Sequence, residues 1–579
     1  MKLFKKLFTA VISLILMLSL SASCFGVIFV PVVAPTEGLP GYTLTQDYVN
    51  KTNAYLETAK NYTIEGKSNV DVNTAWNNYV YAYYEVASQA NVAFVLYASD
   101  ASSKAYKDNY LFASEAYNGV YANYMKALQE IHAHEKSSGI SSDQSFFKGW
   151  DERDLNRILK YTDKVASLEN EISELQVEYA SISEEEFTEK SVVIYKQIVD
   201  KNKQIATEYG FSTYYEYASD YEYGRDYTNG QLTAFRANVA ATLPALIVRL
   251  KSDLETAKSN LTQKERETLN ALTSDSYDST AVNYWDKYVA SYEGLNVKND
   301  FMHAFDNKNV MFADGANSRQ MAFNAYMPAY SKSYCYFGPG YQDVFTVSHE
   351  IGHYYAGLHI DHGVTSMDLN ETHSQGNEML LLEYLSSELS ANAFKALELS
   401  KTASILSTVV ISTIVDDFEY FVYTNDVSNF TAQDFDSKMN EICQKYGGRE
   451  FVDTIVTDIN RYWRLIVAEQ PLYYISYATS GIASINLYMV ADESRSEARQ
   501  IYTKLIEQAQ PELGFAGSLT SAGLVSPFEK SSFDSISAYV SGNTPVQPEE
   551  EESESVEEDV LEEDSESVEE ESQESQMAA

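Results

Sequence analysis

Between about Thr43 and Gly210, apolar residues recur every three or four positions, the period of helices that bury one face. The clearest run is Val165, Leu168, Ile172, Leu175, Tyr179 and Ile182, which predicts a long helix with its seam in a helical hairpin. An acidic cluster, Glu184 to Glu186, follows as a solvated turn. A second helical region runs from Asn229 to about Thr273. From Asn309 to Gly340 the pattern changes. "MAFNAYMPAYSKSYCYFGPGY" is aromatic, rich in small and turn-forming residues, and not helically periodic, so short strands and loops are expected. A strand there is either an ordinary hairpin or an edge able to pair with an extended peptide. Helical pattern resumes from Glu371 to about Ser400, with Leu380, Leu381, Leu385 and Leu389 apolar, and continues to about Tyr539. The predicted fold class is mainly α, a large two-lobed helical body with a small β region beside a histidine-rich helix.

Composition adds a large core and a strong acidity. The chain has 579 residues, 45% of them hydrophobic and 13% aromatic, and a formal charge of −42. Sixteen acidic and no basic residues lie between Glu549 and Glu574, leaving about −26 for the remainder. A chain of this sign repels phosphate, so nucleic acid is excluded as a partner. The tail, with "SESVEE" at Ser553 and again at Ser565, has too few apolar residues to fold. The 46 tyrosines combine apolar area with a polar tip, as a wet peptide-binding surface needs, although a tyrosine-tolerant surface reads the same way.

The N-terminus, "MKLFKKLFTAVISLILMLSLSASC", pairs a basic start with an apolar run and reads as an export signal. "LSASC" loosely resembles a lipoprotein cleavage box with Cys24 as the lipidated residue, while "FGVIFVPVVAP" extends the apolar stretch enough for a membrane anchor. No later segment is expected to span a bilayer, so any membrane contact is through this segment. Cys335 and Cys443 can pair outside the cell but make no disulfide framework.

The chemistry is concentrated in "VSHEIGHYYAGLHIDHG", Val347 to Gly363. His349 and His353 are four apart and project from one helix face, close enough to share a small cation. Glu350 is offset beside them, placed to hold a water. This is the H-E-x-x-H arrangement of zinc peptidases, in which one zinc ion activates a water and the glutamate moves its proton. The flank "DVFTVS" is apolar and buries the helix, and five of the eight histidines (His349, His353, His359, His362, His373) fall within 25 residues.

Two residue types can complete the site. His359 lies six after His353, as in metzincins, but those need a glycine three after the second histidine, and Ala356 stands there. A carboxylate from the next helix is the alternative. Glu371 and Glu378 are seven apart, about 10 Å along a helix, so both cannot bind one ion; Ser374 lies between them on that face.

"DVFTVSHEIGH" together with "ETHSQGNE" resembles the oligoendopeptidase F and thimet oligopeptidase family, gluzincin-type zinc oligopeptidases. "YGFSTYYEYASDYEYGRDYT", Tyr209 to Thr228, and "PLYYISYATSG", Pro471 to Gly481, are similar to the opening of its catalytic region and to its C-terminal tyrosine motif. The resemblance spans about Lys201 to Tyr488. It implies Glu371 as third ligand, Glu378 and Ser374 in support, and a helical body enclosing a channel that admits only short peptides. The chain departs in two places. The loop from His353 to Glu371 is 18 residues, shorter than in better-known members. Where the family has a histidine before the tyrosine motif, this chain reads "RLIVAEQ". Tyr474 and Tyr477 are the family-matched oxyanion donors left; one such donor is worth about 2.7–4 kcal/mol.

The expected protein is an exported or cell-surface zinc metalloendopeptidase cutting short peptides as a monomer. Its expected organisation is a signal or anchor (1–35), an N-terminal helical region (40–205), a catalytic region (206–541) and an acidic tail (542–579). The competing expectations are a metzincin-like protease using His359 and a non-catalytic peptide-binding lipoprotein on the same scaffold.

Overall fold

The computed structural model describes residues 38–542 apart from 151, 181, 183–186, 293–295, 361–365 and 466–469. Cys24, the N-terminal segment, Glu184 to Glu186, His362 and the acidic tail lie outside these described residues.

The N-terminal region is built of capped amphipathic helices. They are α1 (Gln46–Ile64), α2 (Asn69–Ser99), α3 (Lys104–Ser138), α4 (Glu152–Lys160), α5 (Asp163–Ala180) and α6 (Phe187–Tyr209). Thr45, Ser68 and Ser103 each accept a main-chain N–H in the first turn of the first three, satisfying donors that a helix start leaves open. The predicted hairpin is α5 against α6, with Val165, Leu168 and Tyr179 buried; Ile182 falls just beyond the helix end.

After a short helical segment, Tyr214–Glu222, come α7 (Asn229–Ser259), α8 (Gln263–Thr273), α9 (Ser279–Ala290) and α10 (Val297–Asp306). Among the described residues α7 is long and apolar enough, by length and composition, to cross a bilayer, a property the sequence reading gave only to the N-terminal segment. Here its apolar face, including Phe235, Val239, Leu243 and Ile247, is buried in the core.

The β region is a three-stranded sheet, as expected, of β1 (Val310–Phe312), β2 (Ala322–Met327) and β3 (Lys332–Phe337), ordered β1-β3-β2. β1 pairs parallel with β3, and β2 pairs antiparallel with it from Ala322 opposite Phe337 to Met327 opposite Lys332. Every residue of β3 is buried, because α11 (Val344–His359) covers one face of the sheet and α2 the other, where the Tyr336 hydroxyl donates to the Ala98 carbonyl.

The remaining helices are α12 (Met367–Leu385), α13 (Ala391–Thr424), α14 (Ala432–Cys443), α15 (Arg449–Ile455), α16 (Arg461–Leu465), α17 (Ile475–Glu493), α18 (Arg495–Glu507), α19 (Gly514–Ala522) and α20 (Lys530–Val540). The stretch expected to be helical from Glu371 to about Ser400 is two helices, broken between Leu385 and Ala391, where Ser390 caps α13. The fold is mainly α. The sequence leaves open whether Cys335 and Cys443 pair; both are free and buried. The Cys335 thiol faces Asn324 and the Glu350 carbonyl, 3.3 and 3.6 Å away.

α12 is buried along its whole length, packed on α11 and α17. Its contact with α11 is close because Gly352 lacks a side chain. A Cβ there would stand 2.7 Å from the His373 carbonyl oxygen and 2.8 Å from Ser374 Cα. Replacing Gly352 with alanine should therefore force the helices apart. We expect a loss of about 1–3 kcal/mol in urea denaturation, with zinc affinity falling in parallel.

Candidate metal centre

Asp343 starts α11 by accepting the main-chain N–H groups of Phe345 and Thr346 at 3.1 and 3.2 Å. His349 and His353 then emerge one turn apart, each half-buried, from the face turned to α12. Ser366 caps α12, which presents Glu371, 1% exposed, to both. Glu371 Oε2 is 3.6 Å from His349 Nε2 and 3.8 Å from His353 Nε2. Donors about 2.0–2.2 Å from one tetrahedral zinc stand roughly 3.3–3.6 Å apart, so the three fit a single ion. They form one of two groupings among the described residues able to hold a metal.

His359 belongs to the other. It bonds Asp300 at 2.9 Å, near Glu507, on the far end of α11. The structure thus separates His359 from His349 and His353. The helix continues through Ala356 and Gly357 to His359 itself, so the chain makes no sharp turn back toward the site.

The ligands are held from behind. His349 Nδ1 bonds Glu378 Oε1 at 2.8 Å, which fixes the tautomer and leaves Nε2 free to bind a metal. Lys401 of α13 in turn donates to Glu378 Oε2. Ser374 Oγ donates to the Glu371 carbonyl at 3.0 Å and lies 3.3 Å from its Oε2. The Tyr473 hydroxyl donates to Glu371 Oε1. Asn377 Nδ2 donates to the Ser348 carbonyl at 2.7 Å, tying α12 to α11 beside the site.

Electrostatically the site lacks positive charge. Burial opposes a charged His349, yet Glu378, Glu350 and Glu371 outweigh it and push its pKa up to about 9. A cation on Nε2 would meet the same negative field. Glu350 is buried, and its Oε2 has no hydrogen-bond partner among the described residues. Burial, with Glu371 and Glu378 adding to it, pushes its pKa up to about 8. Three carboxylates thus gather here, and Lys401 pairs with Glu378 alone, a deficit that a divalent cation would balance.

Of the two expected oxyanion donors, Tyr477 faces this centre and Tyr474 does not. The Tyr477 ring is 5.0 Å from that of Tyr473, and its phenol lies in the field of Glu371 and Glu350. Tyr474 is buried between Tyr462 and Tyr477, with centroids 5.9 and 5.7 Å away. Tyr473, which the sequence reading passed over, is the phenol touching a ligand. Its i, i+4 spacing to Tyr477 was the available signal. Lys401 had none, being more than twenty residues from the residue it holds. Gln470 is the described end of the stretch that replaces the family's histidine.

The segment is braced at Leu472, whose φ of 64° is unusual for leucine. Its N–H donates to Glu419 at 2.6 Å, and its carbonyl accepts from Arg225 Nη2 at 2.7 Å. Arg225 also reaches Asp368 of α12 at 3.3 Å and Ser476 at 3.0 Å.

No family profile matches the sequence, and no curated protein matches it. Solved structures do. A Bacillus anthracis str. Ames structure assigned to oligoendopeptidase F superposes with a TM-score of 0.64 at 16% identity, covering 87% of this chain and 96% of that one. A second assigned to oligoendopeptidase F gives 0.70 at 15%, covering 88% and 98%. PZ peptidase A, solved with an inhibitor, gives 0.65 at 17%, covering 87% and 98%. This chain has the oligoendopeptidase F fold. The fold spans nearly all the described residues, including the N-terminal helices, which the sequence motifs left untouched.

Zinc titration against a chromophoric chelator tests this geometry. Glu371→Ala should abolish tight binding, Glu378→Ala should weaken it about 10–100-fold, and His359→Ala should leave it unchanged. Loss of binding in His359→Ala would overturn the assignment of Glu371.

Proposed function

We propose that this protein is a zinc-dependent endopeptidase that cuts short peptides, and that residues 1–35 direct it out of the cell, with Cys24 as a lipid acceptor. The observation carrying the catalytic reading is the convergence of His349, His353 and Glu371 beside a buried, unpartnered Glu350 carboxyl, on the oligoendopeptidase F fold. His349, His353 and Glu371 would hold the ion. Zinc there would acidify a water and polarise the scissile carbonyl.

Glu350 Oε2 is buried with no hydrogen-bond partner among the described residues, so this carboxyl orients the water and takes its proton. It then passes that proton to the leaving amine. Glu378 keeps His349 in the ligating tautomer, and Tyr473 holds Glu371. Tyr477 donates to the oxygen that gains negative charge as the carbonyl is attacked. Burial raises its pKa well above the ordinary phenol value, so the proton it must donate stays in place.

The test is hydrolysis of a quenched fluorescent peptide by the full chain with stoichiometric zinc. Glu350→Gln should lower kcat about 10²–10⁴-fold while zinc remains bound. Tyr477→Phe should lower kcat about 10²–10³-fold with KM little changed. Activity that survives Glu350→Gln, or survives chelation, would rule the mechanism out. The mass of the mature N-terminus shows whether the leader is removed and Cys24 acylated.

A further inference from the structure

A partly enclosed cavity of about 180 Å³ lies between the N-terminal helices and the segment that leads into the tyrosine motif. Arg157 of α4, Glu169 of α5 and Glu222 line it, together with Tyr223 and Gln470. Three features mark it as built for a ligand. Gln470 is 2% exposed, yet neither its amide nitrogen nor its amide oxygen has a hydrogen-bond partner among the described residues. A buried primary amide left open on both sides costs free energy unless something completes it. A peptide group, with one N–H and one C=O, matches it atom for atom.

The second feature is charge. Two carboxylates face one guanidinium, and each carboxylate is met by a neutral phenol: Tyr161 donates to Glu169 at 2.9 Å and Tyr214 to Glu222 at 3.0 Å. The guanidinium does not saturate them. Its Nε is buried without a partner, and it lies over the Tyr221 ring at 5.8 Å. Burial pushes Glu169 and Glu222 each up to about 7, although their tyrosine partners and Arg157 act the other way. The third feature is aromatic walls, Tyr117, Tyr121, Tyr217 and Tyr223, whose ring faces suit an alkyl cation.

The cavity shares a wall with the metal centre. The Tyr223 ring is 6.2 Å from Tyr473, the residue that holds Glu371, and the Tyr223 hydroxyl donates to the Pro471 carbonyl next to Gln470. A peptide reaching from the metal past Tyr473 would meet Gln470 with its backbone and the two glutamates with a side chain.

We propose that this cavity binds a lysine or arginine side chain of the peptide substrate between Glu169 and Glu222, with Gln470 pairing to the adjacent peptide group. This rests on the peptidase reading above, which it refines by giving the substrate class.

The experiment uses N-acetylated, C-amidated quenched fluorescent peptides in which lysine, arginine, norleucine or glutamate is walked along a neutral frame. With the zinc-loaded full chain, one position at a fixed distance from the cleaved bond should favour lysine and arginine over norleucine by about tenfold in kcat/KM. Glu169→Gln with Glu222→Gln should bring that ratio toward one, and Gln470→Leu should raise KM for the lysine peptide. If the double variant fails to fold, each single variant should lower the ratio in part. A cavity with no cation preference at any position, or a preference that survives the double variant, overturns the proposal. A preference seen only with free N-termini also overturns it, assigning the cavity to the terminal ammonium instead. Should no peptide be cut at all, the peptidase reading fails separately. Fluorescence anisotropy on the Glu350→Gln protein then decides the cavity: tighter binding of the lysine peptide than of its norleucine twin supports it, and equal binding sinks it.

Discussion

Two helices meet here almost backbone to backbone, and the site depends on that contact. Gly352 of α11 sits against the main chain of His373 and Ser374, within a distance that no Cβ could occupy. The glycine falls between the two histidines, so the closest point of the helix pair is also the point where Glu371 must reach across. Asn377 secures the contact from one side through the Ser348 carbonyl, and Tyr288 holds Asn377 through its Oδ1 at 2.7 Å. Spread by a methyl group, the pair would place Glu371 farther from both imidazoles. Geometry fit for a metal thus follows from a missing side chain.

Burying α12 on all sides has a cost that the surrounding network offsets. Asp368 would be an isolated charge in the core; it is met instead by Arg225, Tyr227 and Ser476 at 3.2–3.3 Å. The side chains of Arg225 and Asp368 are 1% and 0% exposed, so removing either leaves a buried charge uncompensated, which costs about 3–5 kcal/mol. Arg225 joins three distant parts of the chain: its own "YGRDYT" segment, α12, and the Leu472 turn. That explains why these three stretches carried the resemblance. They are one hydrogen-bonded unit, and it places Tyr473 over Glu371.

Much of this could be read in the sequence, and the exceptions have physical causes. The helical hairpin, the outer limits of the region that α7 and α8 fill, the small sheet and the pairing of His349 with His353 all rest on local periodicity or spacing. α12 is buried on every side, so its polar residues from Asp368 to Glu378 identified that half only as a motif, while Leu380, Leu381 and Leu385 marked the rest as helical. The break before α13 is set by the Ser390 cap. Tyr474 was favoured over Tyr473 because a motif fixes positions along the chain but not the direction of a side chain, and the left-handed Leu472 sets that direction. Cys335 and Cys443 looked pairable because sequence does not give distance. The partners of Glu378 and Glu371, Lys401 and Tyr473, come from elsewhere in the fold and left no local trace. Gln470 was seen only as a place where a histidine was missing.

On the peptidase reading, that substitution changes more than a donor. A histidine near the reacting oxygen titrates close to neutral pH and donates only when it carries its proton. Tyr473 and Tyr477 are different. Burial first, and the charge of Glu371 second, hold both phenols well above their ordinary pKa, so they stay protonated throughout the physiological range. The proton inventory of the site then reduces to Glu350 and the ligating histidines, and both are governed by the ion. With a cation bound, His349 would give up the proton that the negative field otherwise places on it, and Glu350 would lie closer to its ionised form. Proton affinity and metal affinity in this centre would therefore be one property, set by three buried carboxylates of which Lys401 answers only Glu378.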